Sequence, residues 1–272
     1  MGTDLLVRHA VLGAVAVTLM GAPLAAACDG LRDGPRGVVT QIVDGDTLML
    51  DNGLIVRLIG TQAPHLALGR PGLADWPKAE ESKQALSDLT LNKPVLLRYG
   101  GEEKDRYGRA LGQLFVTGDG GETWVQQQML ENGWARVYSF PDNRACLPDL
   151  FAAETKARSQ KLGIWADAYY RVRRAERPAD FAELAGHYEL VQGRVLLAEK
   201  SGGRVYLNFG RYFKEDFTAV IDSRALALFA ADRLDPTKLG NALVRVRGWV
   251  DLRDGPQIAV THPEQIEVLA TP

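Results

Sequence analysis

Neither sign of charge dominates this sequence. Its 272 residues carry 32 Lys plus Arg against 34 Asp plus Glu, a formal net charge of −2. It therefore lacks the basic surplus usual in a protein that holds nucleic acid by bulk attraction, and any recognition of phosphate must rest on a local site. Cysteine is nearly absent. Cys28 and Cys146 are the only two, and without a C-x-x-C pair or a Cys/His cluster a thiolate metal centre is excluded. Long hydrophobic runs are missing too. The apolar stretch Ala10–Leu24 is interrupted by Gly13, Gly21 and Pro23, and it is shorter than the roughly 20 residues that span a bilayer. With 46% hydrophobic and 24% charged residues, disordered, collagen-like and multi-span membrane classes are excluded, leaving one large or two small domains.

What is present begins with an address. Met1–His9 carries Arg8, the apolar stretch follows, and Ala25-Ala26-Ala27 suits signal peptidase, which is the order of a secretory signal. The expectation is a leader over 1–27, a mature chain from Cys28, and a periplasmic or secreted protein. Two thiols in an exported chain favour a disulfide between Cys28 and Cys146. Leu24-Ala25-Ala26-Ala27-Cys28 also resembles a lipoprotein box with its bulky residue one place too far upstream, so a lipid anchor on Cys28 is the alternative.

Alternation predicts three strands at Gly37–Val43, Asp46–Leu50 and Leu54–Gly60, the last two joined by an Asp51-Asn52-Gly53 hairpin turn. A Gly- and Pro-rich loop, His65–Pro77, precedes a helix over Lys78–Leu91. Strands follow at Pro94–Tyr99 and Ala110–Val116. A helix over Thr123–Asn132 is stopped by Gly133, and a last helix spans Leu147–Lys161. Five short strands with interleaved helices point to a small barrel of the OB type over 28–168. The charged run Arg171–Arg177 reads as a solvated linker within 169–186. Beyond it, Tyr188–Ala198, Arg204–Phe209, Phe217–Ile221, a helix Ser223–Ala231, Leu243–Val250, Gln257–Val260 and Gln265–Val268 make a second OB-like barrel over 187–272. The fold class is thus mainly β with helices, two barrels in tandem.

Chemistry concentrates in the first barrel. Val43-Asp44-Gly45-Asp46-Thr47 sets two carboxylates about a glycine between strands, an arrangement that can hold a hard cation such as Ca²⁺ and that is also an ordinary turn. Arg57 shares a strand face with Ile55 and Ile59 while Leu54, Val56 and Leu58 face the other way. A guanidinium so placed needs an anionic partner, a carboxylate or a bound phosphate. Asp105-Arg106-Tyr107-Gly108-Arg109 is a turn that delivers a second arginine.

These pieces, with VRLIG at 56–60, ENGWARVY at 131–138 and LGIW at 162–165, stand in the order and spacing of the staphylococcal nuclease family. The chain resembles that family from about Val38 to Trp165. The resemblance implies an OB barrel with helices and Ca²⁺-dependent cleavage of DNA and RNA. It matches Asp46 to a calcium-binding aspartate, and Arg57 and Arg109 to the two arginines on the scissile phosphate. Asp44 would assist at the metal. The family's D-x-P-E, which carries a second metal carboxylate and the proposed glutamate base, is here Gln62-Ala63-Pro64-His65. Gln62 offers an uncharged amide oxygen, which weakens calcium binding. His65 stands where the base would be, with an ordinary pKa of about 6.5 that suits general-base work. The family's two tyrosines near the nucleotide are reduced to Tyr138, followed by Phe140, either of which can stack a base.

In the second barrel Tyr206 lies on an alternating strand, and Arg245, Arg247 and Trp249 share one strand face. Arginines and aromatics on a barrel face can stack bases and contact phosphates, while a plain solvated sheet face shows the same alternation. Three functions remain: an exported phosphodiesterase acting on nucleic acid, an inactive nucleic-acid-binding module that keeps the arginine clamp, or an envelope interaction protein.

Overall fold

The computed structural model describes residues 28–212 and 214–271, so the leader expected over 1–27 lies outside the described residues. In chain order the first unit contains β1 (Arg32–Asp44), β2 (Thr47–Leu50), β3 (Ile55–Leu58), β4 (Gly60–Gln62), α1 (Ala79–Thr90), β5 (Pro94–Tyr99), β6 (Ala110–Gly118), β7 (Gly121–Trp124), α2 (Val125–Glu131), β8 (Arg136–Tyr138) and α3 (Leu147–Ser159). β1 is long enough to serve two partners, β5 with its first half and β2 with its second. β3 pairs antiparallel with β2 and parallel with β6, and β6 returns against β5. Five strands therefore close a ring around Val39, Leu48, Leu50, Val56, Leu58, Val95, Leu97 and Leu114, all essentially buried.

The hairpin turn forms as the sequence predicts, with Gly53 at φ +79° and its N–H donating to Leu50 O at 2.9 Å. The strand expected over Leu54–Gly60 is broken at Ile59. Gly60 takes φ +87°, a conformation that disfavours any side chain, and starts β4, which leaves the ring to pair with β8. β8 has no counterpart among the predicted strands because three residues are too few for an alternation signal. The helix expected from Thr123 starts at Val125, since Thr123 and Trp124 still pair with β6. Gly133 stops that helix at φ +74°, as predicted.

The second unit contains β9 (Arg173–Arg174), β10 (Tyr188–Arg194), β11 (Leu197–Ser201), β12 (Arg204–Asn208), β13 (Thr218–Ile221), α4 (Leu226–Ala231), β14 (Leu243–Asp251), β15 (Gln257–Val260) and β16 (Ile266–Ala270). The single strand predicted over Tyr188–Ala198 is two strands. Val195 exchanges backbone hydrogen bonds with Asn241 and Ala242, so the chain bends there and β11 turns to pair with β12. Counted as one bent strand, β10 and β11 close the same order as the first ring: β12, β13, β15 parallel to β13, then β14 back to β10. The stretch 169–186 is not a solvated linker. β9 pairs with β10, Arg173 is buried in an ion pair with Glu189 at 3.1 Å, and Ala175, Phe181 and Leu184 enter the second core.

Cys28 and Cys146 form the expected disulfide, with Cα atoms 4.9 Å apart, holding the segment before β1 against the head of α3. That pairing uses the sulfur that a lipid on Cys28 would need.

The two units are joined through the outer face of β10 and β14. Arg247, wholly buried, donates from Nη2 to Glu154 Oε2 of α3 at 2.9 Å, from Nη1 to Glu154 Oε1 and Val137 O at 3.1 Å, and also pairs with Glu267. Tyr188 Oη donates to Val137 O at 2.8 Å. Alternation correctly puts Arg245, Arg247 and Trp249 on one face, but the face is not open: Arg247 is consumed by the junction, and Arg245 is held by Glu267 and Gln192. The cross-unit contact at His262 is also buried. Thr261 Oγ1 donates to Gln265 and so accepts from His262 Nδ1–H at 2.9 Å, leaving Nε2 to accept from Ser139 of the first unit at 2.6 Å.

Two stability predictions follow from this junction. Glu154→Ala strands Arg247 with half its compensation, and the loss should be about 3–5 kcal/mol in urea unfolding. Burial, with Arg144 nearby, pushes the His262 imidazole down to about 4. Only the unfolded state then takes up this proton between pH 6.5 and 4, so stability should fall on acidification by about 1.4 kcal/mol per pH unit in that window. Unfolding curves at pH 7 and pH 5 should show a smaller difference in His262→Gln.

Candidate active site

Two strand ends and the Gly60 break assemble the site. The bend after Asp44 returns Asp46 into the ring wall, where it is 5% exposed. Its Oδ1 lies 3.0 Å from Arg57 Nη1 and accepts from Thr47 Oγ1 at 3.2 Å, and its Oδ2 accepts from Ala63 N–H at 2.8 Å. Burial is the main cause pushing the Asp46 carboxyl up, to about 7; Arg57 pulls it down and the neighbouring Asp44 adds to the rise. Asp44 Oδ1 accepts the Asp46 N–H at 3.1 Å. Of the two partners open to Arg57, the structure supplies the carboxylate. The guanidinium also donates to Leu58 O and Thr61 O at 2.9 Å, so its plane is held by the chain it emerges from.

Arg109 lies just outside the paired strand. Arg57 is opposite Leu111 in the β3–β6 pair, and Arg109 stands immediately before β6, at the end of the turn from Asp105, within two register positions of Arg57. Arg109 Nε donates to Asp105 Oδ2 at 2.7 Å, and Asp105 Oδ1 accepts the Arg109 N–H at 3.0 Å. Burial works against ionisation of Asp105, yet hydrogen bonds from Arg109 and Tyr107 keep its carboxyl below the ordinary range. A third of the Arg109 side chain is exposed, enough to meet a phosphate.

The remaining predicted residues are engaged elsewhere. Gln62 donates from Nε2 to Ala63 O at 3.1 Å and turns Oε1 toward Arg57 at 3.5 Å. His65 Nε2 lies 2.7 Å from Arg70 Nη2. Guanidinium is only a donor, so Nε2 is an acceptor here and the imidazole is neutral. Burial first, then Arg70, pushes its pKa below the usual value, against the pull of Asp44 and Asp75. Tyr138 and Trp249 come together, with indole Nε1 donating to Tyr138 Oη at 3.1 Å. Tyr206 faces Glu199 and Val220 along β12 and shares no ring contact with that pair.

These donors do not fit a calcium ion. Among the described residues no three of His, Cys, Asp and Glu converge to hold a metal. The Asp46 oxygens are occupied by Arg57, Thr47 and Ala63, and Gln62 contributes no charge. Arg70, Trp76 and Arg136 were not legible as site residues. Arg136 left a signal, for it alternates with Ala135 and Val137 and so shares a face with its β4 partner, Gln62.

A sequence model of the family described as "Staphylococcal nuclease homologue" matches residues 55–167. An uncharacterized endonuclease of Escherichia coli O157:H7 is 33% identical over 136 residues, 49% of this chain and 78% of that protein. Protein ParB of Escherichia coli is 31% identical over 144 residues, 49% of this chain and 74% of that protein. The thermonuclease of Staphylococcus intermedius is 27% identical over 135 residues, 48% and 77% respectively. The family match ends where the second unit begins.

The donor set predicts indifference to calcium. Millimolar Ca²⁺ should leave the thermal midpoint of the wild-type protein unchanged. Gln62→Asp should introduce a calcium-dependent rise, about 1.4 kcal/mol when the ion stands tenfold above its Kd, read by calorimetry with and without chelator.

Proposed function

Because the chain belongs to the staphylococcal nuclease family, we propose that it acts on the phosphodiester backbone of DNA or RNA, hydrolysing it at the wall that carries Arg57 and Arg109. The observation that supports this most is the β3–β6 pairing, which brings Arg57 and Arg109 within two register positions of each other on adjacent strands, each paired with a carboxylate, Asp46 or Asp105. A preorganised pair of arginines can bind the two non-bridging oxygens of a phosphodiester and stabilise the charge added when water attacks. No step runs through a calcium ion. His65 is the group available to take the proton from water. It is neutral near pH 7, and Arg70 must leave Nε2 before that nitrogen can accept. Action in an oxidising, extracytoplasmic compartment belongs to the same proposal and is supported by the Cys28–Cys146 disulfide.

A second reading, binding of nucleic acid without cleavage, draws on one observation: the Nε2 lone pair of His65 is already occupied by Arg70. One experiment separates the two. Purified protein is given fluorescent single-stranded DNA, and both product formation and anisotropy are followed. Hydrolysis predicts turnover that Arg109→Ala lowers by about 100-fold or more; binding alone predicts salt-sensitive anisotropy without products.

The pH profile carries a further expectation. A base whose pKa is lowered stays unprotonated to lower pH, so the acid limb of turnover should lie below the ordinary histidine value of about 6.5. Arg70→Ala removes one of the charges that depress it and should move the limb upward. An unmoved limb would take His65 out of the reaction.

A further inference from the structure

The junction between the units places aromatic side chains from both beside the candidate site. His65 meets Trp76 edge to face at 5.9 Å, Trp76 lies 6.2 Å from Trp249, and Trp249 lies 6.2 Å from Tyr138 while donating to its hydroxyl. His65 thus stands at the edge of a set of rings contributed by both units. Trp249 is 40% exposed, although its indole nitrogen already has a partner. It also lines a groove of about 710 Å³ along the second unit, where its neighbours include Asp222, Asp251 and Asp254 with Arg204 and Arg253. Phosphates flanking a base on the indole would therefore lie away from that groove, on the side of Tyr138 and Trp76.

A second, independent feature points to an anion. Arg136, 2% exposed, lies beside Gln62 across the β4–β8 pair. Among the described residues it has no carboxylate within ion-pair distance, and its Nε has no hydrogen-bond partner. Its guanidinium carbon instead lies 5.1 Å from the Tyr170 ring, 5.2 Å from Tyr188 and 5.9 Å from Trp76. Ring faces offset part of a buried cation's charge, and an anion arriving beside Gln62 would supply the rest. The other deeply buried arginines, Arg173 and Arg247, each have a carboxylate.

An exposed indole and an uncompensated guanidinium that share Trp76 as a neighbour match a nucleotide, a π-face joined to a phosphate. We propose that Trp249 of the second unit, with Tyr138 and Trp76 of the first, forms a stacking platform for an unpaired base of a nucleic-acid strand, while the phosphates that flank that base lie toward Arg136 and the Arg57–Arg109 wall. The platform is composite. It exists only while the second unit is docked, and it gives that unit a role in selecting single-stranded over duplex substrate, because a paired base has no face free to stack. This rests on the phosphodiester reading above and extends it.

The test uses the whole protein and two labelled strands of equal length at one salt concentration, oligothymidylate and an abasic strand with the same phosphates. Anisotropy should show about tenfold tighter binding of the base-bearing strand. Trp249→Ala should remove that preference while leaving the abasic strand's affinity unchanged, and Trp249→Phe, which keeps a ring, should retain most of it. Thermal midpoints of both variants show whether the junction has held; Trp249→Phe carries the test if the alanine variant unfolds. Equal affinity of the wild type for the two strands, or a preference that survives loss of the indole, overturns the platform and leaves the phosphodiester reading standing. Failure to bind either strand overturns both.

Discussion

The buried pair of Glu154 and Arg247 sets how the two units meet. Neither side chain has any exposure, and each is bound to groups of both units or to the backbone between them. Removing two charges from water is costly, and only close, well-directed hydrogen bonds return that energy. The pair therefore permits one docking position and disfavours its neighbours. In that position Tyr188 reaches Val137, His262 reaches Ser139, and Trp249 reaches Tyr138. The second unit is thereby fixed against β8 and α3 of the first.

Within the first unit the chemistry depends on a similar economy of groups. Arg57 and Arg109 come within two register positions of each other because β3 and β6 run side by side, and each is paired with a carboxylate. The same ion pair that orients Arg57 occupies the Asp46 carboxylate, so the arginine is held firmly where the metal cradle is poor. Gln62 contributes to this outcome. As an amide it donates to Ala63 O and accepts from Arg57, a pattern that a carboxylate could not make.

Much of the architecture was legible along the chain. Alternation marked Pro94–Tyr99 and Gln257–Val260 with the bounds the structure has, and the Asp51-Asn52-Gly53 and Gly133 signals placed a hairpin and a helix end correctly, because these depend on local torsions and on which residues tolerate positive φ. The failures have a common cause. Strand β8, the bend at Val195 and the burial of Arg173 all arise from partners distant in sequence, and a periodic pattern carries no record of its partner. The Arg245, Arg247 and Trp249 face shows the limit most clearly, since alternation identifies a face without revealing what covers it.

By itself the sequence determined the family, two successive β units, the cysteine pair, and the residues from which a phosphate clamp could be built, because motif spacing and side-chain period are properties of the chain. The tertiary structure alone decided which of those residues are free to act. Arg247 spends its charge on Glu154, His65 lends its lone pair to Arg70, Asp46 is filled by Arg57, and Arg136 is left without an anion. Charge compensation in a buried setting is settled by distances of a few ångströms between segments far apart in sequence, and those distances exist only in the folded protein.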